Sequence, residues 1–282
     1  MATFTNRATL SYSGGTANSN TVTGTVNETL AINKAALNDT YDGSSRLVYV
    51  ISLVNSGTGA LSGITLTDDL GAYEAASGTV YPLRYVTGSA AYYVNGVLQT
   101  ELIPITAEPL VFSGLSLPAG ANAILVYEAT VTEFAPLATD GNIINTVTAS
   151  GSLAEDVTAS ETVTAAIGPR LSITKALSPT TVGEDGSLTY TFIIENSGNE
   201  AAVATDDVTV SDLFDPILTL TSVTLDGTPL AETTGYTYNA SSGQFDTVPG
   251  VITVPAATYT QNPDGSFTVI PGTAVLTVSG TI

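Results

Sequence analysis

The sequence predicts an all-β protein of two Ig-like β-sandwich domains in tandem, and three observations lead there. Thr, Val, Ser, Gly and Tyr are abundant among the 282 residues, a composition suited to pleated, half-buried strands. No stretch of helical length spaces its apolar residues at i, i+3, i+4 and i+7 without Gly, Pro or β-branched interruption, so almost no helix is expected. Short apolar runs alternate with turn residues, and the order of those runs repeats along the chain.

The first element is a strand pair, Phe4-Thr-Asn-Arg-Ala-Thr-Leu-Ser-Tyr12 and Ser19-Asn-Thr-Val-Thr-Gly-Thr-Val26, joined by Ser-Gly-Gly-Thr. Alternation puts Phe4, Asn6, Ala8, Leu10 and Tyr12 on one face. Leu30-Ala-Ile-Asn-Lys34 follows without a spacer. Leu47 to Val54 then runs into Asn55-Ser-Gly57, and Ile64-Thr-Leu-Thr-Asp68 comes next. Tyr92-Tyr-Val-Asn-Gly-Val-Leu98 signals a hairpin whose Asn-Gly suits a type I′ turn. Gly120 to Val131 and two closing strands, roughly 142–150 and 157–166, complete the first copy.

The second copy repeats this order. Leu171-Ser-Ile-Thr-Lys175, Leu188 to Glu195 with Asn196-Ser-Gly198, Val208-Thr-Val-Ser-Asp212, the Asp-Gly hairpin Val223 to Pro229, and Pro271 to Ile282 match in turn. Lys34 and Lys175 stand 141 positions apart, as do Tyr49 and Tyr190, and Asn55 and Asn196. Asn6 and Asn145 stand 139 apart, and the difference falls in a turn, where length varies most easily. An insertion around 235–262, with an Asp264-Gly265 hairpin signal beyond it, reads as decoration of one face.

Three segments result. Residues 1–26 are N-terminal donor strands, residues 27–167 a complete sandwich, and residues 168–282 a sandwich without counterparts of the two closing strands. Residues 1–26 resemble those closing strands: Asn6 and its neighbours match Ile143-Ile-Asn-Thr-Val-Thr-Ala-Ser150, and Ser19 to Val26 match Ser160 to Ile167. The expectation is that residues 1–26 of one molecule complete residues 168–282 of the next. The alternatives are a fragment of a longer tandem array and a flexible N-terminal tail.

The Lys-ending first strand, the Tyr strand closing in Asn-Ser-Gly, the Val-Thr-Val-Ser-Asp strand and the Asn-Thr-Val strand resemble the conserved-repeat domain of unknown function found in tandem on bacterial and archaeal surface proteins. The layout opening Met-Ala-Thr-Phe-Thr-Asn is similar to short proteins of spore-forming clostridia. This resemblance implies an Ig-like surface module and supplies no activity.

Lys34 and Lys175 are the only lysines, and each lies in phase with apolar neighbours, which directs the ammonium inward. Asp68 shares phase with Ile64 and Leu66, Asp212 with Val208 and Val210, and Asn145 with Ile143 and Val147. One reading is a buried Lys–Asp pair, hydrogen-bonded by the Asn carboxamide, that fixes register. The other is an isopeptide bond of the kind found in Gram-positive pilin and adhesin domains, which the triad resembles: Lys34, Asp68 and Asn145 within a subunit, and Lys175, Asp212 and Asn6 between subunits.

Composition excludes much else. The formal net charge is −20, from 26 acidic and 6 basic residues, so the chain offers nothing to neutralise a nucleic-acid backbone or an anionic membrane. Without Cys or His, thiol and imidazole catalysis and ordinary zinc sites are impossible. Acidic turns such as Asp68-Asp69, Asp206-Asp207 and Asn262-Pro-Asp-Gly265 lack calcium-loop spacing, so no metal is expected. No phosphate loop or nucleophile elbow is present, and no apolar run reaches membrane-spanning length. No enzyme, cofactor or membrane span is expected. The reading is a head-to-tail homopolymer subunit of an extracellular pilus, fibre or spore appendage, with a monomeric surface adhesin as the alternative.

Overall fold

The computed structural model describes residues 2–26, 30–100, 105–151, 153, 155–183 and 185–282. Residues 27–29, where the donor segment gives way to the first sandwich, lie outside the described residues, as do Ser152 and Ala154 of the long turn. The chain is all-β; among the described residues the only helical element is the short 3₁₀ turn Ala204–Asp206. Among the described residues no helix is long and apolar enough to cross a membrane. The chain divides into two compact units, one holding residues 1–136, 141–165 and 263–266, the other residues 137–140, 166–262 and 267–282.

Unit 1 contains two six-stranded sheets. In the first, the lysine strand Leu30–Ala36 pairs with the tyrosine strand Arg46–Asn55, which pairs with Asn122–Val131, then Ala91–Val94 and Val97–Leu98; Leu83–Tyr85 also joins Asn122–Val131. In the second, the aspartate strand Leu61–Asp68 lies between Leu110–Leu117 and the closing strand Asn142–Ser150, which pairs with Val157–Ala165. The period-2 pattern is plain in the tyrosine strand, where Leu47, Tyr49, Ile51, Leu53 and Asn55 are buried and their neighbours are not. Asn95 and Gly96 both have positive φ (49° and 79°), as a type I′ turn between Val94 and Val97 requires.

Unit 2 has the same first sheet in shorter form: Leu171–Ser178, Ser187–Asn196, Gly272–Thr281, Thr219–Leu225 and Thr228–Pro229. Its second sheet has three strands, Ser211–Leu213, Gln244–Thr247 and Tyr236–Asn239. The insertion is therefore more than decoration. Its strand Gln244–Thr247 is the partner of the aspartate strand, and Phe245, Ile252 and Val254 are fully buried in the unit's core. The expected strand 208–212 is also corrected: among the described residues the strand is Ser211–Leu213, paired on one side, with flanking backbone bonds from the Thr247 N–H to the Val210 carbonyl and from the Phe214 N–H to the Gly243 carbonyl. In unit 1 the matching strand is held on both edges. Without a second neighbour, fewer residues of the strand find ladder partners.

The N-terminal segment is a hairpin of two ladders. Ala2–Asn6 pairs with Val22–Val26, and Thr9–Tyr12 pairs with Gly15–Asn18. The expected single run through Ala8 is broken, because the return arm carries one extra residue between the ladders. There Ser19 replaces a regular rung: its N–H donates to the Ala8 carbonyl, and its hydroxyl accepts from the Ala8 N–H, both at 2.9 Å. Phe4, Leu10 and Tyr12 are 57%, 66% and 62% exposed. The Phe4 ring lies over Gly24, where a Cβ would come within 2.4 Å of it, so glycine here lets the ring rest on backbone.

The Asn-Ser-Gly motif closes the tyrosine strand in each unit. The Asn55 side chain donates to the carbonyls of Gly59 (2.9 Å) and Pro118 (2.9 Å) and accepts from the Gly57 N–H (3.0 Å). Asn196 donates to Glu200 (2.7 Å) and Pro255 (3.0 Å) and accepts from the N–H groups of Arg170 (2.8 Å) and Gly198 (2.9 Å). Both residues are fully buried, so their loss leaves several backbone groups without partners. Asn55→Ala should destabilise unit 1 by about 3 kcal/mol, at roughly 1–3 kcal/mol per orphaned group. Thermal unfolding checks this, and an unchanged Tm would contradict the clasp role.

Candidate functional site

The site in unit 1 forms where four strands of two facing sheets bring Lys34, Tyr127, Asp68 and Asn145 into the buried space between them. Lys34 on the lysine strand pairs with Ile51 of the tyrosine strand, and Tyr127 pairs with Tyr49. From the facing sheet, Asp68 pairs with Val147, and Asn145 shares the inward face of Val147 two residues along the closing strand. The alternation that buries Leu30, Leu47 and Ile143 also buries these polar groups. Lys34, Asp68 and Asn145, the three residues named by phase, are thus brought into one network.

The Lys34 ammonium donates to Asp68 Oδ2 at 2.6 Å, and the two side chains are 0% and 2% exposed. Tyr127 donates its hydroxyl to the same Oδ2 at 2.8 Å and accepts from Asn145 Nδ2 at 2.9 Å. Asp68 Oδ1 accepts from the Leu70 N–H at 3.1 Å. Asn145 Oδ1 and the Tyr49 hydroxyl are buried and have no hydrogen bond of ordinary geometry among the described residues, although Asn145 lies near enough to Tyr49 to act on its hydroxyl. Lys34 Nζ lies 5.0 Å from the centre of the Tyr49 ring, which stacks on Tyr127 at 5.5 Å. A buried cation gains from such a face.

Burial lowers the Lys34 pKa from its usual value, opposed by the adjacent Asp68. Burial also raises the Asp68 pKa, opposed by Lys34, Tyr127 and the Leu70 N–H. Both shifts favour neutral forms, an amine beside a carboxylic acid. Burial raises the Tyr127 pKa as well, so that phenol stays protonated.

Tyr127 was not among the candidates read from sequence, although it could have been. It alternates with the apolar residues Ala123, Leu125 and Ala129, which marks it as inward-facing. Its hydroxyl needs a buried partner, and the strands opposite offer Asp68 and Asn145.

Unit 2 builds half of the same site. Lys175 is bonded to Asp212 and lies 4.3 Å from the centre of the Tyr190 ring. Here the lysine and aspartate side chains are 41% and 18% exposed. The expected inward phase is only partly realised: Leu171 and Ile173 are 40% and 53% exposed, because no strand among the described residues covers that face as Val157–Ala165 covers the lysine strand of unit 1. Val278 occupies the ladder position of Tyr127, opposite Tyr190. Asn6, the third expected member, is exposed on the N-terminal hairpin and belongs to unit 1. No cluster of metal-ligating side chains occurs among the described residues.

No family model and no curated protein matches the chain. Among solved structures, the chain is similar to the major pilin subunit of Bacillus cereus, with 11% identity over 96% of this chain and 73% of that one, and a TM-score of 0.38. It is also similar to the pilus backbone of Streptococcus pneumoniae, with 11% identity over 90% and 50% and a TM-score of 0.34. A C-terminal fragment of the major pilin of Streptococcus agalactiae gives 9% over 86% and 85%, with a TM-score of 0.35. Likeness at this level assigns neither a function nor a site.

Replacing Lys34 by Met would leave the Asp68 carboxyl buried without its cation. Its folded pKa, already raised, would then lie well above the unfolded value, so the folded state would keep a proton that the unfolded state releases as pH rises. Stability should therefore fall between pH 4 and pH 7. Measured against Lys34→Met/Asp68→Asn by denaturant unfolding, the single variant should be weaker at pH 7 by roughly 3–5 kcal/mol and close to parity at pH 4. A pH-independent gap would contradict this.

Proposed function

We propose that this chain is the structural subunit of an extracellular filament on a cell or spore surface, assembled head-to-tail by donor-strand complementation. The observation that carries the reading is the open edge of unit 2. Its aspartate strand pairs only with Gln244–Thr247 among the described residues, and beside it a Lys–Asp pair that is sealed in unit 1 is partly solvated. The hairpin of residues 2–26 carries the sequence pattern of the strands that seal unit 1, and its large apolar side chains face solvent.

In the assembled form, the hairpin of one copy lies along Ser211–Leu213 and over Leu171–Ser178 of another. Main-chain hydrogen bonds supply affinity, and alternate side chains enter the open core. Asn6 then occupies the place that Asn145 holds in unit 1. Such a contact joins two different surfaces, so it closes into a ring or propagates as an open filament, and the filament is the form proposed. Each subunit carries a formal charge of −20, and added salt would relieve the repulsion between subunits.

The unit 1 network of Lys34, Asp68, Tyr127 and Asn145 supports an isopeptide bond there. Lys34 passes a proton to Asp68, the neutral amine attacks Cγ of Asn145, that proton goes on to Nδ2, ammonia leaves, and the second Nζ proton goes to Asp68. At the joint, Lys175 would form the equivalent bond with Asn6 of the neighbouring copy. The filament would then be covalent along its length.

Negative-stain microscopy of the full chain beside a form lacking residues 2–26 tests assembly. Filaments should form only from the full chain, and boiling in SDS should leave a ladder of oligomers where the joints are covalent. Monodisperse particles in both samples would contradict the filament and leave a surface adhesin.

A further inference from the structure

The geometry points to Tyr127 as the proton relay of the unit 1 site: its hydroxyl carries a proton from the Asp68 carboxyl to Asn145 Nδ2 as the carboxamide breaks, and Val278 leaves the Lys175–Asp212 site without that relay. This inference rests on the isopeptide reading above and assigns a role that the lysine, aspartate and asparagine leave unfilled.

An amide nitrogen leaves only as ammonia, so Nδ2 must gain a proton before its bond to Cγ breaks. Asp68 is the acid at hand, yet its hydrogen bonds run to Lys34, Tyr127 and the Leu70 N–H, and none reaches Asn145. The Tyr127 hydroxyl touches both groups, at 2.8 Å from Asp68 Oδ2 and 2.9 Å from Asn145 Nδ2. In the ground state Nδ2 donates to this oxygen, because its lone pair is delocalised into the carbonyl. Attack at Cγ ends that delocalisation and makes Nδ2 a base, so the same contact reverses direction when a proton is needed. An interaction that changes sense along the reaction coordinate lowers the barrier without tightening the starting state.

The step balances without oxidant or metal. The Lys34 ammonium gives one proton to Asp68, and the Nζ lone pair forms the bond to Cγ while the carbonyl pair moves onto Oδ1. The Asp68 proton passes to the Tyr127 oxygen as the Tyr127 proton passes to Nδ2, which restores the phenol. The tetrahedral centre collapses, the Cγ–Nδ2 bond breaks and ammonia departs. The second Nζ proton returns to Asp68.

In unit 2 the place opposite Tyr190 holds Val278, which has no proton to move. The Lys175–Asp212 pair sits instead on the faces of Tyr190, Phe192 and Phe214. The joint between copies would therefore close first through main-chain and apolar contacts, and its covalent bond would lag behind the bond inside unit 1.

Peptide mass spectrometry on freshly synthesised full-length chain, sampled over time, tests this. Each bond removes one ammonia, about 17 Da. The Lys34–Asn145 product should form about a hundred-fold faster than any Lys175–Asn6 product. Tyr127→Phe should slow the first by a similar factor, whereas Tyr92→Phe, which removes a hydroxyl elsewhere in unit 1, should leave it unchanged. Equal rates at the two sites, or an unslowed Tyr127→Phe, would overturn the relay. No mass loss in the wild-type chain would instead overturn the isopeptide reading itself. Should Tyr127→Phe not fold, the wild-type rate in mixtures of H2O and D2O decides. Two protons moving together give a curved dependence on deuterium fraction, and a straight line would refute the relay.

Discussion

The burial of one lysine and one aspartate is the constraint on which the arrangement of unit 1 depends. Neither charge could be held alone at the 0% and 2% exposure found there, because an unpaired buried ion is more costly than most single contacts can offset. Lys34 and Asp68 come from opposite sheets, so the pair is satisfied only when both sheets hold their register. A one-residue slip of either strand would turn its polar member to solvent and an apolar set with it. Tyr127 and Asn145 extend the constraint to two further strands.

In unit 2 no strand among the described residues covers the face that Val157–Ala165 covers in unit 1. The Lys175–Asp212 contact persists, stacked on aromatic rings, but it is partly hydrated and its aspartate strand is shortened to three residues. The core of that unit is otherwise complete, since the insertion contributes Phe245, Ile252 and Val254 to it. At the Lys–Asp pair the difference between the units lies at the free edge of the aspartate strand and the uncovered face of the lysine strand. On the filament account these receive the hairpin of another copy, and the site chemistry follows from whatever side chain that hairpin delivers.

Much of this was legible in the chain because strand alternation has a period of two. Phase alone marked Lys34, Asp68 and Asn145 as inward, and the 141-residue offset of Lys175, Tyr190 and Asn196 marked the second copy. The Asn-Gly and Asp-Gly turns were legible because only certain residues adopt positive φ at both turn positions. What alternation does not encode is which strand lies beside which. The partnership of Ser211–Leu213 with Gln244–Thr247 rests on tertiary packing of an insertion with no counterpart in the first copy. The bulge at Ser19 arises from a side-chain hydroxyl that replaces a backbone rung, which phase counting misses. Tyr127 was overlooked because an inward tyrosine among apolar residues reads as ordinary core.

On the filament account, Asn6 of one copy comes to lie beside Lys175 of another. The chain contains no cysteine, so a disulfide can report that meeting without background. One preparation would carry Asn6→Cys and the other Lys175→Cys, distinguished by mass, mixed and mildly oxidised. A mixed disulfide between the two variants, formed rapidly and abolished when residues 2–5 are removed from the first, is the predicted result. Oxidation that yields no mixed species, or the same yield without those residues, would contradict donor-strand assembly.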